Sequence, residues 1–242
     1  AEAKSDILNQ HEIRNLELMR KFWVEQTAIP SSLVRAQTQH ESQGIIRHTK
    51  AKKENITDWS FMRDWYEKSF SLARQSAEIL QDKKGTDSLY GAVLDSYSPD
   101  LSEEVVEREF AMLQEELPDI IQAAQQKQQE QSPAIPLQGP FPRDQQEKLL
   151  RVLVEAIGFD TTRGRLDVID GHPSMGGSAS DIRFTTDFDE ENFLIAVGST
   201  VHETGHALYE QNTPEEWRYA LAGRSSGMAI HESQARIIEV QA

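Results

Sequence analysis

Three residues in one short stretch, His202, Glu203 and His206, have the types and spacing of a hydrolytic metal site. They stand in Val201-His202-Glu203-Thr204-Gly205-His206, an H-E-x-x-H pattern inside a segment that reads as helix. Residues four apart on an α-helix share a face about one turn from each other, so two imidazoles can grip one cation. Glu203 follows His202 by one residue and projects beside the cation rather than onto it. A general base must sit there to draw a proton from water at the metal. Imidazole and carboxylate donors in an open tetrahedral site favour zinc. The competing reading is of two ordinary histidines on a helix.

A catalytic zinc needs a third protein ligand and an open position. The candidate is Glu232, in His231-Glu232-Ser233-Gln234, which lies 26 residues beyond His206 on the next expected helix. Glu210, four residues after His206, can reach the same face. Glu215, Glu216 and Glu239 are further carboxylates, and solvation is the default for a glutamate. His172-Pro173 and Asp181-Ile182-Arg183-Phe184-Thr185 precede the motif. Taken alone, His172 reads as a structural residue of a Gly-rich loop, and Arg183 as an ion-pair partner of Asp181 or Asp187.

The elements that must position these residues are mostly helices. Apolar residues recur at helical spacing from residue 5 to about 82 (Ile7, Leu8, Ile13, Leu16, Met19, Phe22, Trp23, then Phe61, Trp65, Phe70, Leu72, Ile79, Leu80), which predicts core-facing stripes. Pro30-Ser31-Ser32 breaks the first helix and offers caps for the second, and a third helix follows Asp58. Ser102 is an N-cap candidate for a helix reaching about Gln129, with Glu103 and Glu104 at the positive end of its dipole. Another helix spans about 144–157. Residues 159–188 are rich in Gly, Ser and Asp and carry one strand signal, Ile182 to Thr186. A helix from near Asp189 holds the motif, and a last one starts near Gly227. The expected class is mainly α, a helical metallopeptidase with a zincin-like H-E-x-x-H helix and one small strand region near residues 181–186. The expected organisation is an amino-terminal helical region (1–131), a Pro-rich linker or loop (132–142) and a zinc-binding catalytic region (143–242) truncated at its carboxyl end.

Composition narrows the partners. The chain has 242 residues, 25 Lys and Arg against 40 Asp and Glu, a formal charge of −15, and no cysteine. Such an acidic chain is poorly suited to phosphate backbones or anionic lipid, so no nucleic acid and no membrane partner is expected. Thiolate metal sites, disulfides and a cysteine nucleophile are excluded. No apolar run reaches the length of a membrane span, and the first residues lack the pattern of a signal peptide. A cytoplasmic location is expected.

The motifs occur in a fixed order: His172-Pro173, Asp181-x-Arg183-x-Thr185, His202-Glu203-x-x-His206, then His231-Glu232-Ser233-x-x-Arg236-x-x-Glu239. This order resembles the Taq-type thermostable metallocarboxypeptidase family. Gly205 to Gln211 looks like the family's continuation of the zinc helix, and specific likeness covers at least residues 87–242. The resemblance implies that His202, His206 and Glu232 ligate the metal and that Glu203 is the catalytic base. It places His172, Asp181, Arg183, Thr185, His231, Arg236 and Glu239 in substrate-binding or supporting positions. It also implies removal of carboxyl-terminal residues from peptides with broad specificity, Zn2+ as cofactor with Co2+ as a substitute, and a homodimer at full length.

The chain departs from the family pattern in places. Ser174 follows the His-Pro pair where Phe is usual, and Ala235 stands where a second Ser is usual. The family is about twice as long, with an arginine suited to the substrate carboxylate in its second half, whereas this chain ends ten residues beyond Glu232. A fragment that binds zinc with weak or no turnover is therefore expected. The alternatives are a zinc endopeptidase, which would cleave blocked peptides, and a non-catalytic metal-binding helical module.

Overall fold

A computed structural model of the chain describes residues 7–133, 135–169 and 173–241. Contacts divide it into two units, Ala1–Arg108 and Glu109–Ala242.

The first unit is built from helices α1 (Gln10–Ala28), α2 (Ser31–Lys53), α3 (Ser60–Lys84) and α4 (Leu89–Tyr97). Helix α1 starts at a capping box: Glu12 N donates to Asn9 Oδ1 at 2.9 Å, and Asn9 N donates to Glu12 Oε2 at 2.8 Å. Pro30 precedes α2 with no side-chain cap, so Ser31 and Ser32 are the first helical residues rather than its caps. Polar groups join α2 to α3. The buried His40 stacks on Trp65 at 4.9 Å, its Nε2 lies 2.7 Å from Ser69 Oγ, and Trp65 Nε1 donates to His40 O at 3.1 Å. Such pairing is what a buried polar group requires. Helix α3 ends at Gly85, whose φ of 69° suits a residue without Cβ. The expected apolar stripes are only partly buried. Leu72 and Leu80 lie in the core, but Phe70, Phe22 and Trp23 are exposed and α1 buries no residue. Periodicity predicts which face is apolar and says nothing of what covers it.

Helix α5 (Glu103–Gln129) spans the division between the units and has no buried residue. Ser102 caps it, accepting from Val105 N at 3.3 Å.

The second unit carries α6 (Arg143–Ile157), strands β1 (Gly164–Val168), β2 (Met175–Ser178) and β3 (Asp181–Thr186), then α7 (Phe193–Gln211) and α8 (Met228–Gln241). The sheet order is β1-β3-β2, with β1 parallel and β2 antiparallel to β3. Two of these strands are additions to the sequence reading. Gly164-Arg165-Leu166-Asp167-Val168 has one buried apolar residue, and Met175-Gly176-Gly177-Ser178 has two glycines. Neither has intrinsic strand character, and both are held by pairing to β3. The end of the Pro-rich segment is anchored, since Phe141 N donates to Glu190 O at 2.8 Å and Gln146 Nε2 donates to Phe141 O and Asp189 O. Helix α7 begins at Phe193 rather than Asp189. Asp189 Oδ1 instead accepts from Glu191 N and Asn192 N, forming a turn, and Asn192 caps the helix.

The core of this unit joins Leu150 and Val154 of α6, Phe159, Leu166 of β1, Ile182 and Phe184 of β3, and Ala196 and Ala207 of α7. Helix α7 thus packs on the sheet, α6 and α8 together. It is the element that carries the motif, and its neighbours restrain it on several sides.

Candidate metal centre

The motif residues lie on the most buried helix of the unit. Glu203, Thr204, Gly205, His206 and Ala207 are all buried, and His202 is half-buried. A polar histidine helix can occupy such a place because its backbone is internally bonded and its hydroxyls are satisfied. Thr204 Oγ1 donates to Thr200 O at 2.6 Å, and Thr200 Oγ1 donates to Thr186 Oγ1 of β3 at 2.8 Å. At its carboxyl end Gln211 exchanges hydrogen bonds with Asp160: Asp160 N donates to Gln211 Oε1 and Gln211 Nε2 donates to Asp160 O.

The last helix supplies the third group. Glu232 of α8 faces α7, with its Oε2 3.4 Å from His202 Nε2 and its Oε1 3.6 Å from His206 Nε2. One ligand atom from each of His202, His206 and Glu232 can be chosen so that all lie within 4.8 Å of one another. Two imidazole nitrogens and a carboxylate oxygen converging from two helices fit a divalent metal of the zinc type. Among the competing carboxylates, Glu210 turns to His231, with Oε1 3.5 Å from His231 Nε2, and Glu215 and Glu216 are exposed on the connection between α7 and α8.

The two histidines are held differently. His202 Nδ1 donates to Glu239 Oε2 at 3.0 Å, and Arg236 Nη1 donates to the same oxygen at 2.7 Å. Those two bonds hold the Glu239 carboxyl below the usual carboxylate range, His202 first. A histidine whose Nδ1 donates to a carboxylate presents the Nε2 lone pair outward, as a metal ligand must. His206 Nδ1 is buried with no hydrogen bond of good geometry among the described residues. Burial pushes this imidazole down from 6.5 to about 4. The nearby His231 and His202 rings add to the fall, while Glu232 and the His231 backbone oppose it. A ring that stays neutral at physiological pH is in the protonation state that binds metal.

The upstream motif residues that the structure describes belong to β3 and the segment before it. His172 is outside the described residues. Alternation along β3 sends Ile182, Phe184 and Thr186 inward and Asp181, Arg183 and Thr185 to the other face. Asp181 and Arg183 pair with each other at 3.0 and 3.1 Å, both largely exposed. Thr185 Oγ1 accepts from Ser174 N at 2.9 Å, tying the residue after His172-Pro173 to the sheet. Among the described residues no hydrogen bond or ion pair joins these three to the histidines. Arg236 is on α8, paired with Glu239, and supports His202 through it. His231 stacks on His206 with ring centroids 4.2 Å apart and planes 13° from parallel.

Sequence reasoning did not single out Gly205 against Ala235, or Thr186 and Thr200 as a buried pair. The small residue inside the motif was the available signal for the first; a threonine pair across elements leaves none.

The sequence profile of the carboxypeptidase Taq (M32) metallopeptidase family matches residues 1–242. Thermostable carboxypeptidase 1 of Thermus thermophilus is 29% identical over 232 residues, covering 93% of this chain and 45% of that protein. The solved structure of Trypanosoma cruzi metallocarboxypeptidase 1 superposes with a TM-score of 0.84 at 28% identity, over 97% of this chain and 46% of that one. The M32 carboxypeptidase of Deinococcus radiodurans R1 gives 0.81 at 27% identity, over 96% and 46%. This chain therefore spans less than half the length of these relatives, and it belongs to the carboxypeptidase Taq (M32) metallopeptidase family.

Proposed function

We propose that residues 143–242 form the metal-binding and proton-transferring part of a zinc-dependent carboxypeptidase with broad specificity for peptide carboxyl termini. The observation that carries this reading is the convergence of His202, His206 and Glu232 within 4.8 Å, with Glu203 on the same helix turn. His202 and His206 would bind zinc through Nε2 and Glu232 through its carboxylate, with cobalt able to replace zinc at such nitrogen and oxygen donors. Zinc bound there supplies Lewis acidity toward water and toward a peptide carbonyl.

The chain's own residues do the rest. Glu239 keeps the His202 Nε2 lone pair turned outward, and Arg236 holds Glu239. Glu203, placed one residue from His202, takes a proton from the attacking water and returns it to the departing amine. A cytoplasmic location and assembly of the full-length protein as a homodimer are part of the same reading. So are its exclusions, nucleic acid and membrane, which rest on the charge of −15 and on the lack, among the described residues, of a helix long and apolar enough to cross a membrane.

Exopeptidase specificity needs a cation for the free terminal carboxylate. The local candidates are Arg183, Arg224 and Arg236; Arg183 and Arg236 are engaged with acids of this chain, and Arg224 is not free either. The isolated chain is accordingly expected to bind about one zinc and to turn peptides over weakly or not at all. The test is the metal content of the purified chain and of Glu232→Ala, with hydrolysis of a free and a carboxyl-amidated peptide. One zinc, lost in the variant, supports the reading. Cleavage of the amidated peptide would favour an endopeptidase, and zinc without cleavage of either peptide would favour a metal-binding module.

A further inference from the structure

We propose that Glu210 and His231 form a clamp that fixes the ring of His206, making His231 and Glu210 positioning residues of the metal centre. This rests on the reading of His202, His206 and Glu232 as metal ligands.

The asymmetry between the two histidines carries the inference. The last side-chain torsion of a histidine is broad, so a free imidazole samples many orientations. His202 is fixed by a hydrogen bond from Nδ1 to Glu239 at 3.0 Å. His206 has no such carboxylate anchor on its buried Nδ1, and the backbone of His231 is a hydrogen-bonding neighbour of its ring. Packing against this ring is specific as well. The His231 ring lies flat on it, 4.2 Å away and 13° from parallel, while the His202 ring meets it edge-on at 4.7 Å. His231 is itself held: Glu210 Oε1 is 3.5 Å from its Nε2, and the Tyr209 ring stands against it at 5.7 Å.

The positions along the helices matter as much as the distances. Glu210 lies four residues after His206, one turn along the same face of α7. His231 immediately precedes Glu232 on α8. The contact between Glu210 and His231 therefore joins the two helices beside the place where a metal would join them. It needs no metal, so it aligns Glu232 with the histidines beforehand.

The experiment measures zinc affinity by chelator competition and the cobalt(II) visible spectrum of the purified chain. The variants are Glu210→Gln, His231→Leu and His231→Phe, with the exposed Glu215→Gln as reference. Loss of a supporting contact around a metal ligand costs about 10–100-fold in affinity. Glu210→Gln and His231→Leu are expected to lose on that order and to alter the cobalt spectrum. His231→Phe, which keeps a flat ring against His206, is expected to recover much of the loss. Unchanged affinity and spectrum in Glu210→Gln and His231→Leu would overturn the clamp while leaving the metal site standing. So would a lowered melting temperature with unchanged cobalt spectrum, which would make the contact merely structural. An unmodified chain that binds neither zinc nor cobalt would overturn the metal reading and the clamp with it.

Discussion

Gly205 of α7 lies against Ala235 of α8 so closely that a Cβ on Gly205 would sit 2.6 Å from Ala235 Cα and 3.0 Å from Gln234 O. Ala235 is itself fully buried. The approach of two helix backbones sets how near Glu232 comes to His202 and His206, so the glycine inside the motif acts through distance. Gly205→Ala meets backbone atoms that cannot rotate away. It is expected to destabilise the chain by about 1–3 kcal/mol, the usual cost of overpacking, and to weaken zinc binding by separating the ligands. Thermal melting and chelator competition check both, and normal zinc affinity in the variant would show that the helices tolerate the shift.

The bond from His202 to Glu239 predicts a graded series. Glu239→Gln keeps the shape but loses the charged acceptor, and is expected to lower zinc affinity about 10-fold or more. Arg236→Met removes a largely exposed partner of Glu239 and should cost less, since exposed ion pairs contribute about 0–1 kcal/mol. Equal effects from the two substitutions would mean that Arg236 acts on the metal site by another route.

Thr200 donates to Thr186 with both side chains fully buried. Thr200→Val is expected to cost about 1–3 kcal/mol by leaving a buried hydroxyl without its partner. Adding Thr186→Val should restore part of that stability, because removing both polar partners leaves none unsatisfied. A urea-unfolding double-mutant cycle measures this, and simple additivity of the two losses would show that the pair is not coupled.

The low-lying His206 predicts a pH dependence in the metal-free chain. The unfolded ring titrates near 6.5 and the folded ring near 4. Between these values the unfolded state holds more protons, so stability rises with pH across that window. The contribution is fully present above 6.5 and is lost as pH falls toward 4. Urea midpoints in the presence of chelator, for the unmodified chain and for His206→Gln, isolate it. A difference between the two that stays flat from pH 4 to 6.5 would contradict the shift.

What the sequence determined alone is local. The i, i+4 spacing places His202 and His206 on one helix face whatever surrounds them, and the pattern of helices, the Ser102 cap and strand β3 follow from rules that reach only a few residues. The alternation of β3 likewise sets Asp181, Arg183 and Thr185 on one face and Ile182, Phe184 and Thr186 on the other. What only the tertiary structure decided involves distant residues. Which of Glu210 and Glu232 faces the two histidines depends on how α8 lies on α7, which the Gly205–Ala235 approach sets. Strands β1 and β2 exist because β3 offers them hydrogen bonds, not because their residues prefer to be extended. The exposure of Phe22, Trp23 and Phe70 likewise could not be read from their helical spacing, because an apolar stripe records which face avoids water and not whether a neighbour covers it.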